Sequence, residues 1–348
     1  MSDSDGSRHP LLQLTLARLR EFVREPEAVF WVVVFPIALA FALGIAFRTK
    51  GDDPVYAGVV AGPGSAGVVA ALAPDAGIRT RVLPGDRADL ALRDGVVQVL
   101  VLPGSPPTYR YDPTRPESRL ARLAVDGALQ RAAGRADRFT AGEQRLEVVG
   151  ARYVDWLIPG LIGMNIMGTG MWSIGFSIVW ARTKRLLKRL AATPMRRSDY
   201  LFAQMLARLV FLGVEVGALL VFARLAFGVP VRGSLAAVAV VALTGALAFG
   251  GLGLLVASRA RTIEAVSGWM NFVMLPMWVL SGVFFSSAHF PAATQPFIHA
   301  LPLTALNDAL RAVVLDGASV AAVGHELAIL AAWATACFGI ALRIFSWK

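Results

Sequence analysis

Residues 233–258 read GSLAAVAVVALTGALAFGGLGLLVAS, 26 positions without one charged side chain. A helix crosses about 30 Å of hydrocarbon with roughly 20 apolar residues, so this run is long enough to span a membrane. Working outward, the pattern recurs. Residues 28–47, 156–181 and 265–288 are also free of charge, and two further apolar blocks are interrupted, 201–223 by Arg208 and Glu215, and 320–342 by His325 and Glu326. With 56% hydrophobic residues and mean hydropathy +0.58 over 348 residues, the chain is too apolar for an ordinary two-domain soluble protein. The expected fold is a membrane all-α protein of six transmembrane helices.

The net charge of +10 is placed as a membrane protein places it, not as a nucleic-acid binder does. Between residues 182 and 197 stand seven basic side chains and no acid (Arg182, Lys184, Arg185, Lys188, Arg189, Arg196 and Arg197), and Arg259, Arg261, Arg343 and Lys348 follow later spans. Lys and Arg in short loops mark the cytoplasmic side. Both termini and the loops near 190 and 260 are therefore expected in the cytoplasm, and the segment between the first two spans outside it. The first apolar stretch is too long for a cleaved signal peptide and has no small-residue cleavage site behind it. Cys337 is the only cysteine, so an intrachain disulfide is excluded.

Residues 1–26 hold Leu12, Leu16, Leu19 and Val23 at helical spacing, with Arg18, Arg20, Glu21 and Arg24 on the other face, the pattern of an amphipathic helix in the cytoplasmic interface. Residues 27–48 are the first span. Residues 49–152 change to an alternation of short β runs (56–61, 79–83, 96–102, 108–111) and helical patterns (66–73, 86–94, 120–133), read as a small α/β extracytoplasmic domain. The remainder, 153–348, supplies five further spans. Its residues 285–318 include apolar pieces too short to cross, which suits an outer re-entrant region covered by protein.

Few motifs carry chemistry. Residues 62–67, GPGSAG, match a dinucleotide fingerprint, but Pro63 removes a backbone donor and the loop is placed outside the cytoplasm, so a glycine-rich turn is the better reading. None of the four lysines (Lys50, Lys184, Lys188, Lys348) follows a glycine, so no phosphate-binding P-loop exists, and any ATP driving this protein is bound by another chain. His9, His289, His299 and His325 show no ligand spacing, and no metal site is expected. In residues 182–194, Lys184 with Lys188 and Arg185 with Arg189 share helical faces, while Leu186, Leu187 and Leu190 form the apolar side and Pro194 stops the helix. Such a rod is either a lever presented to a partner or an anchor on anionic lipid. Arg208 and Glu215 lie two turns apart on one face of the third span, where an ionisable group reads as a buried pair or as a transport site. Gly160, Gly163, Gly168 and Gly170 permit close helix approach, and Pro159 and Pro276 mark kink positions.

Residues 188–201, KRLAATPMRRSDYL, resemble the cytoplasmic signature of ABC transporter type-2 permeases. Residues 153–160, YVDWLIPG, and 301–311, LPLTALNDALR, are similar to two further stretches of that family. The order of interfacial helix, span, outer domain and five spans also agrees. The resemblance implies that Lys184, Arg185, Leu186, Leu187, Lys188, Arg189, Leu190, Thr193 and Pro194 form a coupling helix docking on a cytoplasmic ATPase. It also implies that the second and fifth spans face a dimer axis, where Asn165, Thr169, Trp172, Trp269, Asn271 and Met274 line a substrate path. Many members carry acidic residues and a glycine before the coupling helix; this chain has Ala181-Arg-Thr-Lys184.

The expected protein is thus the non-catalytic permease subunit of an exporter in the cytoplasmic membrane. It holds no cofactor itself, pairs with a second permease copy and with two ATPase subunits that use ATP and Mg, contacts membrane lipid, and binds no nucleic acid. The resemblance implies export of a drug, lipid or glycoconjugate, multidrug efflux included, and a path without a ring of charges favours a hydrophobic or amphipathic cargo. Two other readings stand beside it: a secondary transporter or channel using Glu215, and a membrane-anchored sensor.

Overall fold

The computed structural model of the protein describes residues 24, 26–47, 54–136, 139, 142, 150, 152–184 and 197–344, with backbone alone for 197–209. The chain divides into two units, Thr49–Leu146 and the remainder, Met1–Arg48 with Glu147–Lys348.

The smaller unit is α/β. Strands β1 (Val55–Val60), β2 (Ile78–Leu83), β3 (Val99–Leu102) and β4 (Thr108–Arg110) form one sheet in the order β2-β1-β3-β4. The first three strands are parallel, and β4 pairs antiparallel with β3, Leu100 opposite Arg110. Parallel neighbours need crossovers, which helices α2 (Ser65–Leu72) and α3 (Gly85–Arg93) supply, and α4 (Pro116–Ala132) follows β4 and packs with α2 on one face. On one face Ala57, Val99 and Val101 meet Leu72, Ala121 and Val125, and on the other Leu100 and Val97 meet Ala88. Both cores are small and aliphatic. The Tyr109 hydroxyl ties β4 to α4 by donating to Asp126 at 3.0 Å, and burial beside that carboxylate pushes the phenol up to about 12. Gly64, at φ 88°, turns the chain from β1 into α2. A Cβ on Gly62 or Gly67 would meet nothing within 4 Å, so neither glycine is required by packing.

The larger unit is helical. A helical turn, Pro26–Val29, a π-helical stretch, Phe30–Val34, and α1 (Phe35–Ala46) run on continuously. They are followed by α5 (Tyr153–Thr183), α6 (Arg197–Phe227), α7 (Leu235–Ala257), α8 (Ile263–Leu280), α9 (Gln295–Ala300), α10 (Pro302–Val314) and α11 (Gly324–Ile344). Five of these, α5, α6, α7, α8 and α11, are long and apolar enough to cross a membrane, whereas the apolar helix Phe30–Ala46 is shorter. The fifth apolar block therefore ends earlier than its composition suggests. Ser281 caps α8, and Gly282 at φ 70° turns the chain away, because only glycine enters that region without strain. Pro159 and Pro276 both lie inside continuous helices.

Helix α7 is the hub, and glycines make it so. A Cβ on Gly253 would sit 2.7 Å from the Met171 carbonyl oxygen of α5; one on Gly170 of α5 would sit 3.1 Å from Phe249 Cβ. Gly251 backs onto Phe338 and Cys337 of α11, and Gly245 onto Leu306 of α10. With no water to drive helices together in hydrocarbon, close backbone approach is what holds such contacts. α10, only 13 residues long, is buried almost all round, Leu303, Leu306, Leu310 and Val313 being fully covered. Among the described residues, the expected re-entrant region 285–318 contains α9 and α10. Apart from Arg24 and Pro26, the expected interfacial helix of residues 1–26 lies outside the described residues, as do all but Lys184 of the expected coupling-helix contacts.

Candidate functional site

A polar cluster lies inside the helical unit. Glu215, on α6, is 3% exposed. Thr169, one helical turn after Asn165 on α5, places its hydroxyl 3.1 Å from Glu215 Oε2 and 2.7 Å from the Asn165 carbonyl. Asn165 Nδ2 in turn donates to the Val32 carbonyl at 3.0 Å, in the π-helical stretch before α1. The Thr169 hydroxyl has one proton and so donates to one acceptor at a time. It turns either to the Glu215 carboxyl or to the Asn165 carbonyl. The side chain of Arg208, expected to pair with Glu215, lies outside the described residues. Thr169 is a Glu215 partner that sequence reasoning missed, although it had singled out the residue for another role.

The six residues expected on a substrate path divide. Asn165 and Thr169 join Glu215. Met274 belongs to the buried face of α8, with Val266, Met270 and Met277, and approaches α5, where a Cβ on Gly168 would lie 3.9 Å from Met274 Cε. Trp172 is half-buried and stacks on Phe176 at 4.8 Å. Trp269 (60% exposed) and Asn271 point away from the chain's own packing, Trp269 edge-on to Phe272 at 6.0 Å. Together with Leu275 and Val279 they leave an uncovered, mostly apolar side of α8. At 3.6 residues per turn, 272 and 279 fall opposite 270, 274 and 277, and 269 lies on the flank between them.

The stretches 153–160 and 301–311 meet in space. Arg311 of α10 is 7% exposed, with its guanidinium carbon 3.5 Å from the centre of the Trp156 ring of α5. The same guanidinium donates to the Gly282 carbonyl and lies 3.5 Å from Asp308. One turn earlier Asn307 Nδ2 donates to the Ser281 carbonyl at 2.9 Å, while a Cβ on Gly163 would overlap Asn307 Oδ1. Asn307 Oδ1 and Arg311 Nε are buried with no hydrogen-bond partner among the described residues. The knot fastens α10 to α5 and to the turn after α8. At the start of α5, Asp155, fully buried, accepts from Arg152 at 2.7 and 3.0 Å, and Arg152 also donates to the Phe227 carbonyl at 3.0 Å, joining α5 to the end of α6. Asn307 and Arg311, one turn apart in a short, largely apolar helix, were the available sequence signal for this knot.

Among the described residues no group of three or more His, Cys, Asp or Glu side chains could hold a metal ion. The arrangement offers helix–helix fastening, two buried carboxyls, Glu215 and Asp155, and an uncovered apolar face on α8.

Comparison with known proteins supplies the class. Residues 126–315 match a family model of the ABC-2 type transporter. The chain therefore belongs to the ABC-2 type transporter family. It is 29% identical over 169 residues to ABC transporter G family member 20 of Dictyostelium discoideum, covering 48% of this chain and 23% of that protein. It is 27% identical over 204 residues to Nodulation protein J of Bradyrhizobium diazoefficiens, covering 57% and 75%. With the inner membrane transport permease YadH of Escherichia coli it shares 27% identity over 166 residues, covering 47% and 63%. The chain thus spans about a quarter of the first relative and under two thirds of the third. Family membership and five apolar helices of spanning length make it a multi-pass membrane protein.

Proposed function

We propose that this chain is the permease subunit of an ATP-driven exporter that moves a hydrophobic or amphipathic solute (a drug, a lipid or a glycoconjugate) out across the cytoplasmic membrane. The observation that carries the reading is the family match, which runs through α5, the basic segment after it, and α8. In this reading the helical run Pro26–Ala46 is the first of six spans, since 21 residues at 1.5 Å rise reach about 30 Å. The α/β unit lies outside the membrane and both termini in the cytoplasm. Residues 184–194 dock on an ATPase subunit, present in two copies, which binds ATP and Mg. A second permease copy, identical or related, covers the side of α8 that carries Trp269 and Asn271, and the solute passes between the copies. The buried Glu215 favours a second reading, in which it is an ion site of a secondary transporter.

Co-purification tests the first reading. Leu186→Asp combined with Leu190→Asp is expected to abolish association with the ATPase while the chain still inserts and melts as the wild type does. Unchanged association overturns the docking assignment. Transport that persists without any ATPase and follows an ion gradient favours the second reading, and Glu215→Gln would then abolish it.

A further inference from the structure

The last turn of α5 lies beside the C-terminal end of α7, and one side chain joins them. Arg182 Nη1 donates to the carbonyls of Ala257 at 3.2 Å and Ala260 at 2.5 Å, and Nη2 reaches the Ser258 carbonyl at 3.4 Å. The final carbonyls of a helix have no partner within it and carry partial negative charge. A planar guanidinium with several fixed donors can serve them together, which a lysine ammonium does less well.

What Arg182 grips is the link to the next helix. α7 ends at Ala257, and α8 begins at Ile263 after Thr262, whose hydroxyl accepts from the Ala265 amide at 3.2 Å. The guanidinium therefore holds the start of a five-residue connection, 258–262, whose other end caps α8. Higher up, α5 and α7 approach each other closely at Gly170 and Gly253. α8 packs along one side only, through Val266, Met270, Met274 and Met277, with Met270 against Gly175 of α5, so the placement of its base depends on this connection. Arg182 also stands two residues before Lys184, the first residue of the proposed docking segment.

We infer that Arg182 is a positioning residue for coupling: it delivers movement of the ATPase-docking segment to the α7–α8 connection, and so to the base of α8. The inference rests on the ATPase-coupled reading above. A purely stabilising cap on α7 would lower the melting temperature when removed and leave the nucleotide response intact, whereas a coupling link loses the response.

The test uses the full chain in complex with its ATP-binding-cassette subunit, reconstituted in lipid, in a C337S background. Spin labels at Glu264 on α8 and Leu342 on α11, both exposed, report the distance between the two helix ends without nucleotide and after trapping with ATP and vanadate. The wild-type distance is expected to shift on trapping. R182Q is expected to assemble and bind ATP but to lose the shift, and R182K to show a reduced one. If R182Q fails to assemble, R182K alone decides. A full wild-type shift in either assembled variant overturns the inference. A wild-type complex that forms but shows no shift removes the coupled reading itself, and the inference with it.

Discussion

A carboxyl group inside an apolar helix bundle is tolerated only with hydrogen-bonding company, and Glu215 shows how this chain provides it. Asn165 and Thr169 are spaced four apart on α5, so both face the same side, and the Thr169 hydroxyl sits within reach of Glu215. Thr169→Val keeps the shape and removes the hydroxyl. It is expected to destabilise the helical unit by about 1–2 kcal/mol, the cost of leaving a buried polar group short of a partner. Thr169→Ser should restore most of that. Thermal melting in detergent measures both. Equal stability of the Val variant and the wild type would show that Glu215 draws nothing from Thr169. The Arg311 knot follows the same logic with a guanidinium that meets a stacked indole, a carbonyl and, at 3.5 Å, the Asp308 carboxylate.

At the scale of helices, glycine position decides what moves with what. α7 carries Gly245, Gly250, Gly251 and Gly253, and each admits a neighbour that a methyl group would push back. Gly253→Ala sets a Cβ 2.7 Å from the Met171 carbonyl oxygen and 2.9 Å from its Cα, backbone atoms that cannot swing aside. A loss of about 1–3 kcal/mol is expected, the usual size of overpacking. Gly268→Ala on α8 is the control, because a Cβ there meets nothing within 4 Å. It should be neutral or stabilising by up to about 1 kcal/mol through reduced backbone freedom. Melting curves for the two variants check the contrast; similar losses for both would mean that α5 and α7 are not fastened at Gly253.

At the scale of the whole molecule, arginine placement predicts an orientation. Single cysteines introduced at Lys184, Arg261 and Arg93, all exposed, and with Cys337 replaced by Ser, report it through a membrane-impermeant maleimide on intact cells. Residue 93 in the α/β unit is expected to label from outside, and residues 184 and 261 only after permeabilisation. Outside labelling at 184 would place the basic segment on the wrong side for a cytoplasmic ATPase.

The chain's pattern alone determined much of this. Charge-free blocks gave the apolar helices α5, α7 and α8 because a spanning helix satisfies its own backbone and asks only for apolar side chains over a fixed length. Alternating short β and helical runs gave the α/β unit strand by strand, because period 2 and period 3.6 are written locally. Tertiary structure decided what depends on partners distant in sequence: that Thr169 meets Glu215, that Arg311 lies on Trp156, that Arg182 reaches past α5 to the end of α7, and that Met274 turns inward while Trp269 and Asn271 turn out. The contacts among these do not follow from local periodicity, since each is fixed by which helices pack together and how closely their glycines let the backbones approach.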